Sequence, residues 1–194
     1  MRYVHNSALS AYWYPVAENA DVGADPVPVT LLGDRFVLWR TDAGVSAARD
    51  RCPHREMPLS IGCVDEAQNL RCAYHGWGFD AAGLCVDVPS SGPGAPVPPT
   101  AHLHGCHVQE RYGLIWLCPG APVADIPVIV HDADPAFRRI NTGIEIWNAS
   151  ATRMVDNFLD ISHFPWVHTG TFGSSQATGV TSIKLVDLDR DFHG

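Results

Sequence analysis

The sequence predicts a mainly β amino-terminal region of small antiparallel sheets with two loops carrying paired Cys and His residues, followed by an α+β unit. Three observations carry this. Short apolar runs separated by turn residues recur through residue 118. The Pro/Gly stretch from Ser90 to Pro99 admits neither a helix nor a central strand. A helical period then appears from Ala151 to about Ser162.

The elements follow in order. Val27 and Val29 alternate with Pro28 and Thr30, and Phe36-Val37-Leu38-Trp39 is a compact run suited to a buried strand. Asp42-Ala43-Gly44 is a turn, and Val45 to Ala48 a returning strand weakened by its alanines. Gly76, Gly78 and Gly83 among aromatics suit tight loops between strands. Glu110 to Leu117 reads as a turn followed by a buried strand. Residues 119–135 carry Pro119, Pro122, Pro127 and Pro135 without helical period and read as a linker. Ile140 to Trp147 alternates like a strand. Ser150 is placed to cap a helix whose Met154, Val155, Phe158, Leu159 and Ile161 recur at helical spacing, and Pro165 ends or kinks it. Residues 181–188 alternate again, as a second strand of the same sheet. The expected domains are 1–118, a linker over 119–135, and a second domain over 136–194.

Composition narrows the function classes. Of 194 residues, 46% are hydrophobic and 18% charged, which excludes a disordered chain. The net charge is −8, and twelve of the thirteen basic residues are scattered arginines. Such a surface repels phosphate backbones and anionic lipids, so neither nucleic acid nor membrane is an expected partner. The first residues, Met-Arg-Tyr-Val-His-Asn-Ser, hold no apolar export segment, and no apolar run reaches the length of a membrane helix. The expected location is therefore cytoplasmic, where thiols stay reduced. Cys52, Cys63, Cys72, Cys85, Cys106 and Cys118 are then metal-binding, catalytic or buried rather than cross-linked.

Cys52-Pro53-His54 is followed, after seventeen residues, by Cys72-Ala73-Tyr74-His75. Each box offers one thiolate and one imidazole, a set that suits zinc or an iron–sulfur cluster. Zinc sites usually pair cysteines two to four residues apart, and neither box has that form. Downstream, Asp160, His163 and His168 surround Pro165. Asp160 and His163 would share a helix face, and the break at Pro165 would turn His168 inward. Two imidazoles and a carboxylate with open positions are the facial triad of non-haem Fe(II) oxygenases.

Several stretches together resemble the Rieske non-haem iron oxygenases over about residues 11–170. These are Cys52-Pro53-His54-Arg55 with Pro58-Leu59-Ser60-x-Gly62, then Leu70-x-Cys72-x-Tyr74-His75-Gly76-Trp77-x-Phe79-Asp80, Gly83, Pro89-Ser90, and Glu110 to Trp116. The general texture is similar to the branch that includes vanillate O-demethylase, phthalate and toluenesulfonate oxygenases. The resemblance implies a Rieske domain with two cluster-binding loops and the start of an α+β helix-grip catalytic domain. It implies that Cys52 and Cys72 hold one iron of a [2Fe–2S] cluster and His54 and His75 the other. Imidazole ligands carry less negative charge than thiolates, moving the couple from roughly −400 mV to about −150 mV or higher. By the same resemblance His163 and His168 ligate a mononuclear Fe(II), Asp160 is the bridging carboxylate toward a neighbouring subunit's cluster, and Asn157 lies near the iron. The family's third ligand is a distant downstream Asp, so the chain is expected to stop inside its catalytic domain. Asp187, Asp189 and Asp191 match no family position.

The implied function is oxygenation. Electrons from NAD(P)H pass through a separate flavin and iron–sulfur reductase or ferredoxin to the cluster. They then reach the Fe(II), which activates O2 for hydroxylation or O-/N-demethylation of a small aromatic substrate, in a homotrimer. The competing readings are a Rieske-type ferredoxin, to which residues 119–194 would be superfluous, and a colourless zinc module. Glu56 departs from the family, which often has Gly there, and this is expected to alter the loop backbone. Cys63 has no partner in the second box, unlike the respiratory type with its extra disulfide. His102, His104 and His107 read as polar residues of an edge strand, and Cys85, Cys106 and Cys118 as small buried hydrophobes.

Overall fold

A strand buried on both faces reads as a continuous apolar run, and Phe36 to Trp39 is such a run, each residue at most 1% exposed. In the computed structural model, which describes residues 7–92 and 94–180, this run forms the middle of the third strand. The strands in chain order are β1 Tyr14–Glu18, β2 Val27–Leu31, β3 Asp34–Thr41, β4 Gly44–Arg49 and β5 Cys63–Val64. They continue as β6 Leu70–Arg71, β7 Gly78–Phe79, β8 Cys85–Asp87, β9 His107–Arg111 and β10 Leu114–Cys118. Three antiparallel sheets result, in the orders β1-β10-β9, β2-β3-β4 and β5-β6-β7-β8. Mainly β architecture in small antiparallel sheets is what the sequence predicts.

Successive side chains on a strand point to opposite faces, and β3 uses both. Val37 and Trp39 join Ala48, Cys52, Leu59, Leu70, Cys72, Phe79 and Leu103 in one core. Phe36 and Leu38 join Ala17, Val22, Ala47, Ile115 and Leu117 in another. One strand thus ties the β1-β10-β9 sheet to the region holding both Cys/His boxes.

The hairpin turns follow from strand registers. Asp34 pairs with Leu31, leaving Leu32-Gly33 as a two-residue loop with both φ positive. Arg111 pairs with Leu114 around Tyr112-Gly113, again both positive. Tyr112 is 9% exposed; its hydroxyl donates to the Pro127 carbonyl (3.0 Å) and accepts from the Ile129 N–H (2.9 Å). Arg111 donates to the Ile126 carbonyl (3.1 Å), and Ile126 is 1% exposed. The Pro-rich stretch after Cys118 is therefore tied to this first unit by specific bonds.

The chain divides into two units, residues 1–144 and 145–194. Residues 140–147 form no strand, contrary to the alternation. A strand requires a laddered partner, and residues 181–188, the expected one, lie outside the described residues. Ile146 is 96% exposed accordingly. In the second unit α1 spans Ala151–Leu159, with the Ser150 hydroxyl accepting from the Arg153 N–H. The helix ends at Leu159, earlier than the sequence period indicates, because Asp160 turns extended (φ −85°, ψ 107°). Pro165 lies in the first turn of α2, Phe164–Val167, where its missing N–H costs nothing. Among the described residues no helix is long and apolar enough to cross a membrane.

Candidate metal centres

The first box lies between β4 and β5, and the second is the β6–β7 connection. Their backbones repeat one hydrogen-bond frame. Cys52 N–H donates to Met57 O (2.8 Å) and Glu56 N–H to Cys52 O (2.9 Å). Cys72 N–H donates to Trp77 O (2.9 Å) and Gly76 N–H to Cys72 O (3.0 Å). Both frames need a left-handed residue at the same place, and they fill it with Glu56 (φ 61°) and Gly76 (φ 71°). Glu56 thus holds the backbone form that Gly adopts in the twin loop, and its carboxylate ion-pairs with Arg51.

All four box residues come together at this place. Cys52 and Cys72 are 1% and 3% exposed and lie in one buried core. Burial pushes the Cys52 thiol up to about 11; the backbone N–H groups of His54 and Arg55 work against this, and the Cys72 thiol with it. The imidazoles form a second pair toward the surface: the His54 and His75 ring centres are 4.6 Å apart. His54 is half-buried and His75 exposed. Burial, then His75 and Arg55, lower the His54 pKa. His54 also stacks flat on Trp77, 4.6 Å away with planes 2° apart.

Two thiols buried in one core and two imidazoles side by side outside suit a cofactor with two metal atoms, one taking sulfur and the other nitrogen. Among the described residues no three His, Cys, Asp or Glu side chains are gathered around a single-ion position. All six cysteines are free, and Cys63 is exposed. Cys118 is fully buried, whereas Cys85 and Cys106 are only half-buried.

Two polar braces hold the loops, and the sequence alone marked neither. The Asp50 carboxylate, its side chain fully buried, accepts from Ser60 N–H and Oγ (2.8 Å each) and Arg35 Nη2 (3.1 Å). Arg71 donates to Asp65 (2.5 Å), the Gly76 carbonyl (2.9 Å) and Asp87. The Asp87 and Asp65 carboxylates outweigh burial and raise the Arg71 pKa. Periodicity gives no sign of such residues; the available hint is a charged residue one or two places before a buried cysteine. Gly62 is set by close approach, since a Cβ there would lie 1.9 Å from the Arg71 carbonyl oxygen.

The second group lies in the other unit. Asp160 and His163 do not share a helix face: Asp160 caps α1 and His163 precedes α2. The break comes from Asp160 itself, whose Oδ1 accepts from the Ser162 N–H (2.8 Å) and hydroxyl. The turn still leaves Asp160 Oδ2 3.6 Å from His163 Nδ1. The Ser162 hydroxyl and N–H and the His163 ring hold the Asp160 carboxyl low against burial. The His163 and His168 rings are 5.3 Å apart, and His168 stacks on Phe172 at 4.6 Å. Asn157 is exposed on α1, and Trp166 is 68% exposed. The two imidazoles could contribute two nitrogen donors to a mononuclear site, with the Asp160 carboxylate beside His163 rather than gathered with both rings around one position.

Residues 12–107 match the Rieske [2Fe-2S] domain, and residues 147–189 match the vanillate O-demethylase oxygenase C-terminal domain. The chain is 36% identical over 187 residues to the putative toluene-4-sulfonate monooxygenase system iron-sulfur subunit TsaM2 of Comamonas testosteroni, covering 94% of this chain and 51% of that protein. It is 36% identical over 195 residues to the methylxanthine N1-demethylase NdmA of Pseudomonas putida, covering 96% of this chain and 54% of that one. The solved structure of NdmA with caffeine superposes with a TM-score of 0.81 at 33% identity, over 89% of this chain and 52% of that one. The chain spans about half the length of the curated relatives it matches. It belongs to the Rieske non-haem iron oxygenases, carrying a Rieske [2Fe-2S] domain and part of the family's catalytic domain.

Proposed function

We propose that the chain is the electron-accepting part, and a portion of the catalytic part, of a Rieske oxygenase acting on a small aromatic compound. Residues 1–118 form the cluster domain, 119–135 connect, and 136–194 begin the iron-bearing domain. Cys52 and Cys72 hold one iron of the [2Fe–2S] cluster, and His54 and His75 the other. His163 and His168 hold a mononuclear Fe(II), with Asn157 beside it. Asp160 carries the electron path between neighbouring subunits of a homotrimer. When bound, the two groups supply electron relay and dioxygen activation for hydroxylation or O-/N-demethylation, with electrons from NAD(P)H through a reductase or ferredoxin.

The observation that carries this reading is the paired donor arrangement, with both thiols buried in one core and the two imidazole rings 4.6 Å apart toward the surface. The chain's own residues keep water from the sulfur side, leaving Cys52 and Cys72 almost wholly buried. The match of residues 147–189 to an oxygenase domain favours an oxygenase over a ferredoxin. Substrates follow from the relatives' names: an aryl sulfonate and methylxanthines are both small aromatic ring systems.

Anaerobic reconstitution with ferrous salt and sulfide, followed by iron and sulfide counting and EPR, tests it. Expected are two irons and two sulfides lost together in Cys72→Ser, a reduced signal of average g below 2, and a further iron lost in His163→Ala/His168→Ala. A colourless zinc-loaded product refutes the cluster. An iron count that the double variant leaves unchanged, both in this chain and in a form extended to carry the expected downstream Asp, refutes the oxygenase reading and leaves a ferredoxin.

A further inference from the structure

The two cluster loops are alike in backbone and unlike in what covers their imidazoles. Each closes on a hydrogen bond from its cysteine N–H to the carbonyl five residues on, which belongs to Met57 in the first loop and Trp77 in the second. The indole of Trp77 does not lie over its own loop's histidine. It lies face to face with His54 of the opposite loop, ring centres 4.6 Å apart and planes 2° apart. Its backbone is pinned by the Cys72 N–H (2.9 Å), and the side chain packs on the core containing Cys52, Cys72, Trp39 and Phe79. His75 has a different neighbour. Tyr74 lies 3.9 Å away, tilted by 42°, and is itself 59% exposed. One imidazole is therefore backed by a fixed aromatic plane, while the other is open to water.

We propose that Trp77 is a positioning residue for the cluster: it fixes the ring plane of His54 and keeps water from the metal atom behind that ring, making the two imidazoles inequivalent. This rests on the ligand reading above. A ring stacked flat on a pinned indole cannot turn about its own axis without losing the contact, so the orientation of the metal–nitrogen bond is set by the opposite loop. The electrostatic consequence has a definite sign. A two-iron, two-sulfide cluster with two thiolates and two neutral imidazoles is neutral when oxidised and singly negative after taking up one electron. An apolar ring in place of water disfavours the added charge, as does the negative π face of the indole. Trp77 therefore holds the reduction potential down, and removing it raises the potential.

The test uses the whole chain, reconstituted, as wild type, Trp77→Phe, Trp77→Ala and Tyr74→Ala. Iron and sulfide content is measured first, then the midpoint potential by dithionite titration, the EPR line shape, and the rate of bleaching by an iron chelator. Expected are an upward shift of midpoint graded from Trp77→Phe to Trp77→Ala, broadened g-values in Trp77→Ala, several-fold faster bleaching, and a smaller shift in Tyr74→Ala. A fully loaded Trp77→Ala with unchanged midpoint and line shape overturns the proposal. So does a Tyr74→Ala shift as large as that of Trp77→Ala. If wild type loads but neither Trp77 variant does, Trp77 serves folding and the positioning role is refuted. If wild type itself yields no cluster, the ligand reading fails instead.

Discussion

Glu56 and Gly76 occupy equivalent places in the two cluster loops, with φ of 61° and 71°. This makes a sign-reversing prediction. In ordinary backbone, Gly is less stable than Ala by about 0.4–1 kcal/mol through unfolded-state entropy. In the left-handed region a residue with a Cβ gives up about 1–2 kcal/mol relative to Gly. Glu56→Ala keeps that strain and loses the ion pair with Arg51. The pair's side chains are 60% and 68% exposed, so the pair contributes about 0–1 kcal/mol. Glu56→Gly loses the same pair but is relieved of the strain. The pair cancels between the two variants, leaving Glu56→Gly more stable than Glu56→Ala by about 1 kcal/mol. In a chain of this size that is about 2–4 °C in Tm. Gly76→Ala is expected to lose about 1–2 kcal/mol, since it enters the same region and its Cβ meets Pro89 Cγ at 3.1 Å. The assay is thermal unfolding of cluster-loaded protein at one fixed scan rate, followed by far-UV circular dichroism and the visible absorption. Glu56→Ala melting at or above Glu56→Gly would show that the loop relaxes out of the left-handed form and would refute the reasoning.

Three further outcomes are expected. Asp50→Ala removes a fully buried carboxylate and strands the Ser60 N–H, so it should destabilise by about 3 kcal/mol and hasten cluster loss, read by denaturant midpoint and visible absorption. Burial works against the Asp65 carboxyl, yet the Asn69 N–H, the Arg71 side chain and the Ala67 N–H hold it below its ordinary 3.8. Its stabilisation is thus complete above that value and lost as pH falls through the lower folded value, so Asp65→Asn should flatten the pH dependence of stability below about pH 4; an unchanged acid limb would count against it. Burial pushes Cys106 up to about 12, with Arg49 opposing, whereas Cys63 is exposed. Iodoacetamide at pH 8 should therefore modify Cys63 in the loaded protein and spare Cys106, as peptide mass mapping would show.

The parts of this protein legible in its sequence are those decided by short-range chemistry. The ligand boxes are contiguous segments whose frames close through hydrogen bonds spanning five residues, so Cys52-x-His54 and Cys72-x-x-His75 could be read directly. Ser150 caps its helix through a bond to the N–H three residues on, and Phe36 to Trp39 announces its burial by composition. Where pairing across the chain decides, the sequence misled or was silent. Ile140 to Trp147 alternates like a strand, yet no strand forms there. Helical spacing ran past Leu159, yet the Asp160 carboxylate found the Ser162 N–H and ended the helix. The stacking of Trp77 on His54 and the bracing of both cluster loops by Arg71 and Asp50 depend on segments brought together only by folding. Sequence alone determined which donor atoms this protein carries and in what local frames. The tertiary structure decided which imidazole is clamped and which is open, because that depends on which loop lies over which.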